Sequence, residues 1–327
     1  MKREIRFVVP KDKEGMSLID FLASRFPFHT REAWLEQIAQ KRVEINGRAS
    51  VPEYALLYRD AMVYTADDIP EPPARLDVEV VHDDRDILVV NKPPNLPCHP
   101  GGRYFHHTLW AVLKTRHGIE SPALVNRLDR ETSGLTVVAK NPEAARKCRT
   151  QFNDRRVEKR YLVLVEGSFP DTLHAAGYLT PAREGHLRKP RTFVQSEQGA
   201  GEPPGGEWAE TLFRRLDFRD GLSEVEALPK TGRMHQIRAT LHSLGFPVVG
   251  DKTYGVDPSI FLRFCTDSMT EDDRRRLRMD RQALHAAGLR FRHPRTGADL
   301  QFDLPLPSDM ATLLTPIRVK EDDARIA

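Results

Sequence analysis

The chain has 327 residues, with 50 Lys and Arg against 47 Asp and Glu, a formal charge of +3 and a pI near 8.7. That length supplies one large domain or two with a core that needs no staples, and a charge so close to balance does not by itself reveal a nucleic-acid partner. Cys98, Cys148 and Cys265 stand far apart with no Cys-x-x-Cys pair, so neither a disulfide framework nor a zinc site is expected, and the set suits a reducing cytosol.

The N-terminal MKREIRFVVP has too short an apolar run for a signal peptide, and no stretch approaches membrane-spanning length, which predicts a soluble cytoplasmic protein. Leu18, Phe21 and Leu22, then Trp34, Leu35 and Ile38, recur at helical spacing over 17–24 and 31–40. Alternating Val43 and Ile45 lead into Asn46-Gly47, a hairpin turn signal. Two helices and a hairpin predict a small module over residues 1–68, followed by a linker over 69–76 that Pro70, Pro72 and Pro73 stiffen. From 77 to 317, strand-like runs begin near 78, 87, 135, 159, 222, 288 and 299, while helical patterns occur only at 108–118, 142–155, 233–245 and 270–283. Strands outnumber helices without alternating with them, so the expected class is α+β with a largely antiparallel or mixed central sheet. Residues 196–206, rich in Gly, Pro and Glu, read as a surface loop, and 318–327 as a frayed tail.

Three stretches could carry chemistry or binding. NRLDRETSGLTVVAKN, residues 126–141, crowds Arg127, Asp129, Arg130 and Glu131 against an apolar strand; an ordinary surface turn would use the same Thr-Ser-Gly. Residues 146–160 hold seven basic side chains and two acidic ones, a candidate phosphate-tracking patch or a solvated helix face. In residues 228–255, Arg233, His235 and Arg238 sit at a helix start, where the dipole prefers anions, so a phosphate or carboxylate is expected to approach them. His235 and His242 are seven apart and lack zinc-helix spacing.

RLDRETSGL with VAKN resembles the catalytic motif of the RluA-type pseudouridine synthases, and TGRMHQIRATLHSLGFPVVGDKTYG resembles that family's later motif. VNKPPNLPCHPGG, KRYLVLVEG and LHAAGLRFRHPRTG fall in the same order as its other blocks, so the resemblance spans about residues 75–308. Asn126 stands where the motif has histidine. The N-terminal module resembles the alpha-L RNA-binding domain, with Glu32 and Glu36 thinning its basic helices.

The resemblance implies a pseudouridine synthase fold and an isomerase that breaks the uridine N1–C1′ bond and joins C5 to C1′. Asp129 would be the essential carboxylate, acting on the sugar or its C2′ proton. Tyr161 would stack on the base, and Arg238 would hold Asp129 ionised. Arg127, Arg233, Lys92, His99, Lys159 and Arg160 would contact RNA. No metal or organic cofactor is expected. The partner would be ribosomal RNA first and transfer RNA next, the enzyme acting as a monomer away from membranes. Two alternatives are a catalytically silent RNA-binding or ribosome-assembly protein, which intact Asp129, Tyr161 and Arg238 disfavour, and a nucleoside glycosidase, which would need a second carboxylate.

Overall fold

The computed structural model describes residues 4–26, 29–66, 70–101, 103–182, 190–197, 199 and 201–315. The chain divides into two compact units, Met1–Pro72 with Gly101–His106, and Pro73–Pro100 with His107–Ala327. The short segment 101–106 thus groups with the N-terminal unit, although the sequence gives it no feature that separates it from residues 77–317. Residues 318–327, expected to fray, lie outside the described residues.

In the first unit, strand β1 (Glu4–Val8) precedes helices α1 (Leu18–Arg25) and α2 (Arg31–Ala39) and strands β2 (Val43–Ile45), β3 (Arg48–Ala49) and β4 (Ala61–Thr65). Ser17 and Thr30 cap the two helices by accepting from the backbone N–H groups of Asp20 and Ala33. The helices bury Leu18, Phe21, Leu22, Trp34 and Ile38 against an antiparallel sheet of order β1-β4-β2-β3. Asn46 and Gly47 both take positive φ, as the two-residue turn from β2 to β3 requires. Leu35 faces outward, and Gln37 takes the inward place, accepting a hydrogen bond from the Tyr64 hydroxyl.

The second unit runs β5 (Glu79–Asp83), β6 (Ile87–Lys92), α3 (Leu109–Thr115), β7 (Ala123–Leu124), β8 (Ser133–Ala139), α4 (Pro142–Asn153), β9 (Glu158–Glu166), β10 (Thr172–Pro181), β11 (Arg191–Gln195) and β12 (Glu207–Arg219). It continues through β13 (Leu222–Pro229), α5 (Gln236–Ser243), α6 (Ser259–Cys265), α7 (Glu271–Leu277), β14 (Leu284–Arg292), β15 (Asp299–Asp303) and α8 (Ser308–Leu314). The strands form one sheet of order β11-β10-β12-β13-β9-β14-β8-β6-β5, with β15 beside β14 and β7 beside β8. Among the described residues its pairings are antiparallel apart from β8 with β14, so the sheet is mixed, as the sequence leads one to expect.

Strand alternation splits the core around β6 and β8 into two layers. Ile87, Val89, Leu135 and Val137 pack against Ala144, Ala145 and Cys148 of α4. Leu88, Val90 and Val138 face the other way, against Leu109 and Leu113 of α3, and Tyr161 joins that second layer. Helix α4 and Tyr161 therefore lie on opposite faces of the sheet. No described helix is long and apolar enough to cross a membrane.

Candidate active site

Residues 125–132 link β7 to β8 as a loop whose backbone is tethered at several points. The Asn126 amide donates to the Leu135 carbonyl and its oxygen accepts from the Val137 N–H, so the side chain continues the ladder that β7 begins. Asparagine therefore does here what a backbone segment would do. The Cys98 thiol donates to the Leu128 carbonyl at 3.3 Å and accepts from its N–H at 3.3 Å. The Arg130 carbonyl accepts from the Leu96 N–H and from Lys92 Nζ. Gly134 closes the loop at φ +113°, where a Cβ would lie 2.3 Å from the Ala286 carbonyl oxygen. Only glycine lets β8 approach β14 this closely.

Fixing the backbone leaves the Asp129 side chain one-third exposed and facing Arg238. Arg238 lies in the first turn of α5 with its side chain 7% exposed. Its Nη1 donates to Asp129 Oδ2 at 2.8 Å, while Nε and Nη2 grip Asp251 Oδ2 and Oδ1 at 2.6 and 2.8 Å. The wholly buried Asp251 also accepts from the backbone N–H groups of Thr253 and Tyr254, and the guanidinium sits 5.1 Å from the Tyr254 ring centroid. The cation at a helix start is thus satisfied by two carboxylates of this chain. A bidentate pair fixes the plane of the guanidinium, so Asp251 aims the remaining nitrogen at Asp129. Gly250 makes room for that turn: at φ +74°, a Cβ there would lie 1.9 Å from the Arg281 carbonyl oxygen.

Burial pushes the Asp129 pKa up, but the charges of Arg238 and His235 and hydrogen bonds from Arg238 and Gln282 outweigh it and hold the carboxyl below its ordinary value. Asp251 is lowered too, its burial overcome chiefly by Arg238. The two carboxylates in turn raise Arg238 further above its ordinary value despite its burial. The site therefore presents an ionised carboxylate in a largely dry setting. Glu131 turns away from it: both its oxygens lie 3.1 Å from Lys252 Nζ, and one accepts from Arg130 at 2.9 Å. Gln282 joins the two sides, donating to Thr132 Oγ1 at 2.5 Å and reaching Asp129 Oδ2 at 3.5 Å.

Tyr161 stands on β9 between Ala227 of β13 and Ala286 of β14. These small neighbours leave its ring flanked by little side-chain bulk. Burial, and then the Asp129 charge, push its pKa to about 12, so the phenol is neutral near pH 7. His235 caps α5 at φ +58°, with Nδ1 hydrogen-bonded to the Tyr254 hydroxyl at 3.0 Å and Nε2 3.9 Å from Asp129 Oδ1. Asp251 and Gln282 are the neighbours of Asp129 and Arg238 that sequence reasoning missed, whereas His235 was already placed with Arg238 at the helix start. One signal existed for Asp251: a lone carboxylate directly after Pro247-Val248-Val249-Gly250 has to find a buried cation.

The expected RNA contacts divide into three groups. Arg127 and His99 are exposed; partial burial and then the Arg127 charge lower the His99 pKa. Arg233 keeps 37% of its side chain exposed while its Nε donates to the Trp208 carbonyl. Lys159 shares the Tyr161 face, donates to the Thr231 carbonyl at 2.8 Å, and burial pushes its pKa down to about 8. Two residues depart from the expectation. Lys92 is fully buried and donates to the carbonyls of Pro93, Leu96 and Arg130, so it braces the Asp129 loop from below and offers nothing to RNA. Arg160 alternates with Tyr161, points to the opposite sheet face away from Asp129, and there pairs with Asp303 at 2.9 Å, so it is no contact of the Asp129 site.

Comparison with known proteins agrees with this geometry. Residues 86–243 match the family model described as RNA pseudouridylate synthase. The uncharacterized RNA pseudouridine synthase YlyB of Bacillus subtilis is 30% identical over 328 residues, covering 96% of this chain and 98% of the relative. Ribosomal large subunit pseudouridine synthase D of Nitrosomonas europaea is 31% identical, covering 96% of this chain and 88% of the relative. The solved structure of human RNA pseudouridylate synthase domain containing 1 superposes with a TM-score of 0.55 at 28% identity, over 72% of this chain and 86% of the human one. This chain belongs to the RluA-type family of RNA pseudouridine synthases, isomerases that act on uridine in RNA.

Proposed function

We propose that the chain converts specific uridines of large-subunit ribosomal RNA to pseudouridine, with Asp129 as the reacting carboxylate. The observation that carries the chemistry is the 2.8 Å contact between a partly exposed Asp129 and a buried Arg238 that Asp251 fixes in plane. Such a carboxylate is ionised and aimed, which both attack at C1′ and removal of the C2′ proton demand. The N1–C1′ bond breaks, the uracil turns, C5 bonds to C1′, and the proton lost from C5 is balanced by the one gained at N1. No oxidant or external energy source enters that balance.

Tyr161 supplies a flat surface for the freed base. As a neutral phenol it relays a proton only by giving one up as it takes one. Arg127, His99, Arg233 and Lys159 hold the RNA and the extruded nucleotide. The unit within residues 1–68 captures structured RNA and performs no chemistry. The ribosomal target is supported by relatives named as large-subunit pseudouridine synthases.

Mapping pseudouridine in total RNA from cells with and without this gene tests the reading. Loss of one or a few large-subunit ribosomal sites, restored by the wild-type chain, is the expected result. Unchanged ribosomal maps with altered transfer RNA sites would refute the proposed target.

A further inference from the structure

Helix α4 has a buried side and a basic side. Ala144, Ala145 and Cys148 pack under the sheet, while Arg146, Arg149, Thr150 and Asn153, at spacings of three and four, form an exposed ridge. A groove of about 540 Å³ runs along one flank past Lys140. A second, of about 680 Å³, runs along the other toward Arg156, Arg290 and Arg292.

Some of these charges are already balanced. Lys147 pairs with Glu143 at 2.9 Å and Arg156 with Asp154 at 2.6 Å, while Arg290 and Arg292 come only to 3.9 and 3.6 Å from Glu158 and Asp299. Among the described residues, no carboxylate pairs with Arg146 or Arg149. The aromatic rings among the residues lining these grooves, Phe291 and His293, are both buried and cannot stack on a base. Guanidinium groups beside the hydroxyl and amide of Thr150 and Asn153 suit phosphate and sugar, not bases.

We propose that the α4 ridge and its two flanking grooves form a second RNA-backbone surface, on the sheet face opposite Tyr161, that grips a structured RNA reaching both faces. The inference rests on the RNA-substrate reading above and adds a place of contact that the Asp129 site does not require. It also gives the local excess of positive charge between residues 146 and 160 a binding role.

The test measures binding of a transcript of a large-subunit ribosomal RNA domain to the full chain as salt is varied. The Arg146→Gln/Arg149→Gln double variant is expected to bind roughly tenfold more weakly at moderate salt. The slope of log affinity against log salt should become shallower by about 1.5, as for two lost phosphate contacts. Arg290→Gln/Arg292→Gln provides an independent second variant with the same direction of change. Arg214→Gln/Arg219→Gln removes equal charge from exposed positions of β12 and should change affinity less than twofold.

Equal binding by wild type, the α4 variant and the β14 variant would overturn the inference, as would an equal loss in the β12 control. Failure of the wild type to form pseudouridine in that transcript would instead count against the proposed target, so the two readings fail separately.

Discussion

The cluster around Asp129 and the ridge of α4 use charge in opposite ways. In the first, Arg238 is 7% exposed and shared between two carboxylates at 2.6 to 2.8 Å. In the second, Arg146 and Arg149 are exposed at helical spacing without a carboxylate partner among the described residues. Buried pairs lose strongly when one member is removed, because the other is stranded in a poor solvent. Exposed charges contribute little to the fold and act at a distance that salt screens. Charge that serves chemistry should therefore be coupled to stability, and charge that serves affinity should not.

Arg238→Met tests that coupling with the largest expected effect on the fold. It strands Asp129 and Asp251 without their cation and should cost about 3–5 kcal/mol in denaturant unfolding. Arg238→Lys keeps the charge but loses the two-pronged grip, so it should recover part of the stability and little of the turnover. The pH dependence has a definite sign. Asp129 and Asp251 have folded pKa values below the unfolded value, so their contribution is present above about pH 4 and is lost as pH falls through the folded values. Thermal melts between pH 7 and pH 3 should show stability falling at the acidic end, with a smaller fall in Arg238→Lys.

Lys92→Met comes next. It leaves the carbonyls of Pro93, Leu96 and Arg130 without their shared donor and should cost about 1–3 kcal/mol. Because Arg130 follows Asp129 directly, turnover should fall while RNA affinity holds; undiminished turnover in a folded variant would show that the brace is dispensable. Arg160→Ala sits at the small end. Its pair with Asp303 is largely solvated, at 30% and 49% side-chain exposure, so about 0–1 kcal/mol is expected, with turnover unaltered.

Much of this comparison can be read in the sequence, and the remainder fails for identifiable reasons. Asp129, Tyr161 and Arg238 stand in motif blocks, and the structure brings Asp129 and Arg238 into contact with Tyr161 within reach of the Asp129 charge. Strands β10 and β12 give no clear pattern, because their inward places include Ala175, Gly177, Ala209 and Thr211, and Glu and Arg occupy many of the other places of β12. Small residues bury well but carry little hydrophobic signal.

Arg160 was legible in principle, since its neighbour Tyr161 lies on the Asp129 side of the sheet and alternation sends Arg160 the other way. Lys92 was less so. It follows a run, Ile87–Val90, buried on both faces, and only the fold reveals three carbonyls waiting for an ammonium group. Asp251 lies 122 residues from Asp129, and its link through Arg238 exists only once α5 and the β7–β8 loop have met.

The central claim is that the ionised carboxylate of Asp129 performs the isomerisation while other groups hold the RNA. Asp129→Asn keeps the size of the side chain and removes its charge, and Arg238 retains Asp251 as partner. The direct measurement is single-turnover pseudouridine formation by the folded Asp129→Asn protein on a purified target RNA, beside its dissociation constant for the same RNA. The account predicts no detectable product and an affinity within about twofold of wild type, since most affinity comes from contacts to phosphates. Product at a rate near that of wild type would contradict it.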